Sequence, residues 1–483
     1  MTAAVGTRWE VVVGLEVHCE LKTETKLFCG CRNAFGSAPN TNICAVCLGL
    51  PGSLPVLNER AVELAMRIGT ALGCEIRPSI FHRKNYFYPD MPKDYQISQY
   101  DAPINVGGEL ALPDGMRIGI ERAHIEEDTG KTTHVGGAGR IHEGVHSLVD
   151  YNRAGVPLVE IVSAPDIRSA EQARAYVTEL RAILVATDAS DGRMEEGSLR
   201  VDANVSIRPE GATEYGTRCE VKNMNSLRSV GRAIEYEAAR QIDILSSGGA
   251  VRQETRHWNE DEGRTSTLRS KEEADDYRYF PEPDLVPLVP DAGWQARVAA
   301  GIGLLPAQRR RRVADLFGID HPAAADQIVT VVAQELDELV VNAVAAGADA
   351  RLALARAANE AAARAEDARA LEPGRFAALL MMESSGELSA TQSKAVLAEM
   401  LAGNSGTPSE LAARLGFEAL DAGALETAID GVIDASPSEW ARFCEGDQKV
   451  VGFLQGQVRK ATSGRANGRQ VAEILDRRRG DRN

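Results

Sequence analysis

The composition of the chain changes near Trp294, and that break limits the fold more than any other feature. Before it, residues are rich in Gly, Pro, Asn and Tyr, and short β-prone runs alternate with turn signals. After it, the chain is rich in Ala, Leu, Arg and Glu and reads as helix after helix. A chain of 483 residues exceeds one ordinary domain. The expectation is therefore an α+β protein. Residues 1–293 are expected to form a domain with a large, mainly antiparallel sheet and flanking helices, followed by an all-α domain over 294–405. A small all-α tail over 406–483 begins at the turn-rich Asn404-Ser405-Gly406-Thr407-Pro408.

Strands are expected at Glu10–Glu20, Arg117–Ile125, Leu158–Ser163 and Leu199–Arg208, and amphipathic helices at Glu59–Leu72 and Ala170–Leu184. A net charge of -16 excludes a generally basic nucleic-acid coat but leaves room for a local basic patch. No apolar run reaches eighteen residues, so no transmembrane helix is expected. The start lacks a basic segment followed by an apolar stretch, so no signal peptide is expected and a cytoplasmic location follows by default.

Alternate residues of a strand face the same way. On Val13–Glu20 this puts Glu16, His18 and Glu20 on one face and Val13, Leu15, Val17 and Cys19 on the other. Two carboxylates around an imidazole suit a hard metal ion, although an edge strand with a solvated face has the same pattern. His124, Glu126 and Asp128 share a face in the same way, next to Glu127, and Glu160 stands alone in the apolar run Leu158–Ser163. Adjacent acids and a buried carboxylate both call for a cation. One divalent ion shared by the three segments would supply it, and Mg²⁺ is favoured because carboxylates dominate. On Leu199–Arg208, Arg200, Asp202, Asn204 and Ser206 line up opposite Val201, Ala203, Val205 and Ile207, as the wall of a polar cleft or as a solvated strand. Phe81–Tyr100 interleaves Arg83 and Lys84 with Tyr86, Phe87 and Tyr88, which suits phosphates and bases. Neither a P-loop nor a Rossmann turn occurs.

Four of the eight cysteines, Cys29, Cys31, Cys44 and Cys47, form a CxC and a CxxC across a short loop. That spacing fits a structural, tetrahedral Zn²⁺ with no open position. The chain ends in a basic stretch containing Arg459, Lys460, Arg465 and Arg469, which fits contacts to an RNA backbone or a solvated helix end.

Val13–Glu20, Arg83–Gln99, His124–Lys131, Val149–Ser163, Met194–Ser206 and Asp276–Asp284 together resemble the B subunit of aspartyl/glutamyl-tRNA(Asn/Gln) amidotransferase, from about Trp9 to about Val289. The tail resembles that family's helical tail, which binds tRNA. The resemblance implies one subunit of a heterotrimeric ligase, with a glutamine-hydrolysing amidase A subunit and a small C subunit. It implies ATP- and Mg²⁺-dependent phosphorylation of the side-chain carboxylate of Glu-tRNA(Gln) or Asp-tRNA(Asn), followed by amidation with channelled ammonia. Family metal positions correspond to Glu16, His18, Glu160 and one of Glu126 and Glu127, with Glu127 preferred. Arg83, Lys84, Tyr88, Arg153, Arg200, Asp202 and Ser206 are candidates for contacts to ATP or the tRNA end. The alternative is a non-catalytic, zinc-stapled tRNA-binding scaffold.

Overall fold

A computed structural model gives the fold and describes residues 8–136, 145–270, 277–317, 322–417, 422–462, 466 and 468–480. The chain divides into two units, Met1–Ala307 and Gln308–Asn483.

In the first unit the strands are β1 (Trp9–Glu20), β2 (Glu75–Ile76), β3 (His82–Asn85), β4 (Tyr95–Ser98), β5 (Asn105–Val106), β6 (Glu109–Ala111), β7 (Arg117–Glu127), β8 (Lys131–Val135), β9 (His146–Asp150), β10 (Pro157–Ser163), β11 (Leu199–Pro209), β12 (Cys219–Met224), β13 (Glu254–Asn259), β14 (Arg264–Ser270) and β15 (Phe280–Pro281). Thirteen of them form one sheet whose main path runs β14-β13-β12-β11-β1-β10-β7-β4-β3-β15. Every pairing in that path is antiparallel except β12 with β13. The α+β class and the mainly antiparallel sheet agree with the sequence-based expectation.

The helices α1 (Glu59–Ala71), α2 (Ala170–Ala186) and α3 (Leu227–Ser246) start where a side chain can take up orphan amide donors. Asn58 accepts from the amides of Arg60 and Ala61, Ser169 from that of Gln172, and Ser226 from that of Ser229. Their apolar stripes bury Leu64, Ile68, Val177, Leu180, Val230 and Ile234 against Val13, Leu15 and Val17 of β1 in one core. Full burial of each large aliphatic side chain contributes about 1.5–3 kcal/mol. The other face of β1 is thereby left to its polar residues. The helix α4 (Ala292–Ala300) also adds Val298 to this core.

The described residues of the second unit are helical and form two apolar cores. One gathers residues from Val313 to Ala412 and includes Leu411 and Ala412 of the helix Pro408–Arg414. The other runs from Leu425 to Leu475. Arg459 and Lys460 are exposed in the last turn of the helix Val451–Ala461. Arg465 and the side chain of Arg469 lie outside the described residues. No described helix is long and apolar enough to cross a membrane.

Candidate active site

Register across the central strands builds the site. His18 on β1 stands opposite Glu160 on β10, and Glu160 stands opposite His124 on β7. On the other side of β1, Glu16 pairs with Asp202 and His18 with Arg200 of β11. Residues paired directly across an antiparallel ladder project to the same face. One row of ionisable groups therefore crosses four strands, opposite the face that carries the core. His18 Nδ1 lies 3.4 Å from Glu126 Oε1, and His18 Nε2 lies 3.7 Å from Asp202 Oδ2. His124 Nε2 lies 3.6 Å from Glu160 Oε2, and Asn204 Nδ2 donates to Glu16 Oε1 at 2.8 Å.

Two sets of ligand atoms converge to within 4.8 Å, one from Glu16, His18 and Asp202 and the other from His18, Glu126 and Glu160. Carboxylate oxygens outnumber imidazole nitrogens, which fits a hard divalent cation such as Mg²⁺. Crowding and burial shift these groups. Burial, with Glu160 nearby, pushes the Glu126 carboxyl up to about 8 and also raises Glu16. Burial pushes His124 down to about 4 and lowers His18. Glu160 is held below the ordinary range against its own burial, by His124, His18 and Lys84.

These groups open into a cleft of about 1620 Å³, larger than the usual pocket for one small ligand. Glu16, His18, His124, Glu126 and Glu160 form its floor, with Lys84 and Arg122 beside them. Tyr86, Tyr88, Tyr100, Tyr277 and Tyr279 make an aromatic wall, and Lys84 Nζ sits 4.8 Å from the centre of the Tyr277 ring. Thr255 and His257 of β13 and Ser266 and Thr267 of β14 form another wall.

Several sequence candidates are placed elsewhere. Glu127 follows Glu126 on β7 and so points the other way. It accepts from the Ile97 amide at 2.8 Å and pairs with Lys93, beside a separate cavity of about 120 Å³. Arg83 also borders that second cavity. Its guanidinium grips Glu282 in a two-pronged pair at 2.6 and 2.8 Å. Arg200 and Arg153 both turn to the buried Asp128, at 2.8 and 3.4 Å, and neither is among the residues lining the large cleft. Ser206 is buried further along β11 and is also not among those lining residues.

Sequence reasoning did not single out Lys222 and Glu220 on β12. Lys222 Nζ lies 2.5 Å from Asp202 Oδ2 and 3.3 Å from Glu220 Oε1. Burial opposes its charge, yet Asp202 and Glu220 hold the ammonium above the usual lysine range. A signal is present in Cys219-Glu220-Val221-Lys222, which alternates like the polar row of β11 beside it.

The four cysteines also converge, with all four sulfurs within 4.8 Å of one another. Cys47 Sγ lies 3.8 Å from Cys31 Sγ and 3.5 Å from Cys44 Sγ. Tetrahedral zinc–thiolate bonds of about 2.3 Å place sulfurs about 3.8 Å apart, so the cluster fits a structural zinc.

Residues 11–296 match the GatB/GatE catalytic domain, and residues 338–478 match the GatB domain. The chain is 49% identical to the B subunit of an aspartyl/glutamyl-tRNA(Asn/Gln) amidotransferase of Moorella thermoacetica, over 97% of this chain and 99% of that one. It is 50% identical to the protein of the same name in Salinispora arenicola, over 98% of this chain and 97% of that one. Together with a cleft floored by acids from the strands where the sequence placed them, this similarity over nearly the whole length shows that the chain belongs to the family of aspartyl/glutamyl-tRNA(Asn/Gln) amidotransferase B subunits.

Proposed function

We propose that this chain is the activating subunit of a glutamine-dependent tRNA amidotransferase. In this reading it uses ATP to phosphorylate the side-chain carboxylate of Glu-tRNA(Gln) or Asp-tRNA(Asn), and ammonia then displaces phosphate to leave the amide. The observation that carries the reading is that Glu16, His18, Glu126 and Glu160 all line one large cleft beside Lys84 and Arg122, with His18 shared by two sets of converging ligand atoms, one with Glu16 and Asp202 and one with Glu126 and Glu160.

A carboxylate is a poor acyl donor because oxide is a poor leaving group, and transfer of a phosphoryl group to it replaces oxide by phosphate. Bound between the acids, Mg²⁺ would neutralise charge on the transferring phosphoryl group. The chain's own residues do the rest. Glu16, His18, Glu126 and Glu160 would hold the ion, and Asn204 fixes the Glu16 carboxylate from β11. Lys84 and Arg122 add positive charge on the rim, where phosphates would lie. Lys222 keeps Asp202 and Glu220 neutralised beside Glu16. The tyrosine wall offers flat faces on which unpaired bases of a tRNA end can stack. Depth matters too, because an acyl phosphate must be kept from water. Ammonia would come from an amidase subunit, a small third subunit would complete the complex, and the exposed Arg459 and Lys460 would meet the tRNA backbone.

The test is ATP hydrolysis by the purified complex, with and without Glu-tRNA(Gln). Stimulation by the misacylated tRNA is expected, and Glu16→Gln should reduce it at least about tenfold. An unchanged Glu16→Gln rate would transfer the case to a tRNA-binding scaffold.

A further inference from the structure

Lys26 is among the largest side chains that are fully buried in the protein, with 1% of its surface exposed. Lysines are almost never buried to this degree unless paired with a negative group. Its three donors meet one hydrogen-bond acceptor among the described residues, the carbonyl of Asn42 at 3.0 Å. No carboxylate of a described residue lies within ion-pair distance of it.

Lys26 is tied to the cysteine set through Cys31, through Asn42 and through the Gly155 corner that it shares with Cys47 and the Glu127 carboxylate. Its backbone amide donates to the Cys31 carbonyl at 2.9 Å, which ties it to the CxC pair. The carbonyl that receives its ammonium belongs to Asn42, two residues before Cys44, so the other end of the side chain reaches the CxxC pair. Its stem and Cys47 both border Gly155. A Cβ built on that glycine would lie 3.7 Å from Lys26 Cδ and 3.8 Å from Cys47 Cβ. Lys26 thus has its backbone on the CxC side of the set and its side chain beside Asn42 and Cys47 on the CxxC side.

Four thiolates around one divalent ion carry two surplus negative charges. In a half-buried pocket that surplus needs a cation close by. We propose that Lys26 is the built-in counter-ion of the cysteine site, so that the pocket holds zinc as a tetrathiolate and the buried ammonium is retained because of it. The proposal concerns metal retention and is independent of the reaction assigned to the large cleft.

The test uses the full chain, loaded with zinc and competed with a chromophoric chelator. Lys26→Met is expected to lose zinc at about tenfold lower chelator concentration, and Lys26→Arg to recover most of the difference. A second measurement guards against misfolding. In a chain with all four cysteines replaced by serine, Lys26→Met should raise the melting temperature, because it removes a buried charge left without a partner. In the zinc-loaded parent the same substitution should lower it. Equal shifts of one sign in both backgrounds, or unchanged zinc retention, would overturn the proposal.

Discussion

Glu126→Gln is expected to cost the complex on the order of 10²–10³ in tRNA-stimulated ATP hydrolysis and to raise the Mg²⁺ concentration needed for half-maximal rate. Its neighbour is the control. Glu127→Gln should leave the Mg²⁺ requirement where it is. The reason is parity along β7. Glu126 projects to the face of His124 and meets His18 at 3.4 Å, whereas Glu127 projects to the opposite face and pairs with Lys93. A magnesium titration of the two variants separates the roles, because a general loss of stability would not move the half-saturating concentration. Equal shifts in both would remove the assignment of Glu126 to the metal floor.

The second large effect is on stability. Glu237 of α3 is fully buried and satisfies several donors at once. Arg240 donates to it at 2.6 and 2.9 Å, Gln241 at 2.8 Å and Thr265 at 3.1 Å, and Arg256 Nε lies 3.2 Å away. Arg256 belongs to β13 and Thr265 to β14, so one carboxylate on a helix pins the hairpin that forms a wall of the cleft. Removing one partner of a buried ion pair typically costs about 3–5 kcal/mol, and Glu237→Ala is expected to fall in that range in urea unfolding. A loss below about 1 kcal/mol, the scale of an exposed pair, would contradict the argument. The pH dependence has a definite sign. Burial opposes ionisation of Glu237, but the donors from Arg240 and Gln241 outweigh it and hold its carboxyl below the usual glutamate value. The stabilisation is therefore present above the unfolded value, 4.5, and is lost as pH falls toward the depressed native one.

Much of this is legible in the amino-acid order alone. Alternation marks β1 and β11, and the apolar parity of Val13, Leu15 and Val17 already implies that Glu16 and His18 share the polar face. Parity from His124 likewise points to Glu126, and the preference for Glu127 rests on the resemblance alone. Partner choice is less legible. Charge shows that Arg83, Arg153 and Arg200 can bind phosphate, but it does not show that Glu282 or Asp128 folds against them from distant segments. Lys222 escapes notice because its partner Asp202 lies on β11, and the register shift in the β11–β12 pairing between Val201 and Ala203 is not encoded in the local alternation of β12. The cysteine spacing, by contrast, is local, and so the cluster can be read directly.

One consequence follows from the position of β1 between β10 and β11. It is made well before either neighbour. At about 5–20 residues per second, the ribosome needs about 10–40 s to go from Glu20 to Pro209. Until β10 is made, a nascent chain carries an apolar, β-prone segment with both edges open, and one edge stays open until β11 follows, which is the pattern that invites aggregation. The charges on Glu10, Glu16 and Glu20 interrupt it. Glu16, which ends on the cleft floor, thus has an earlier duty beside Glu10 and Glu20, as a gatekeeper of the growing polypeptide.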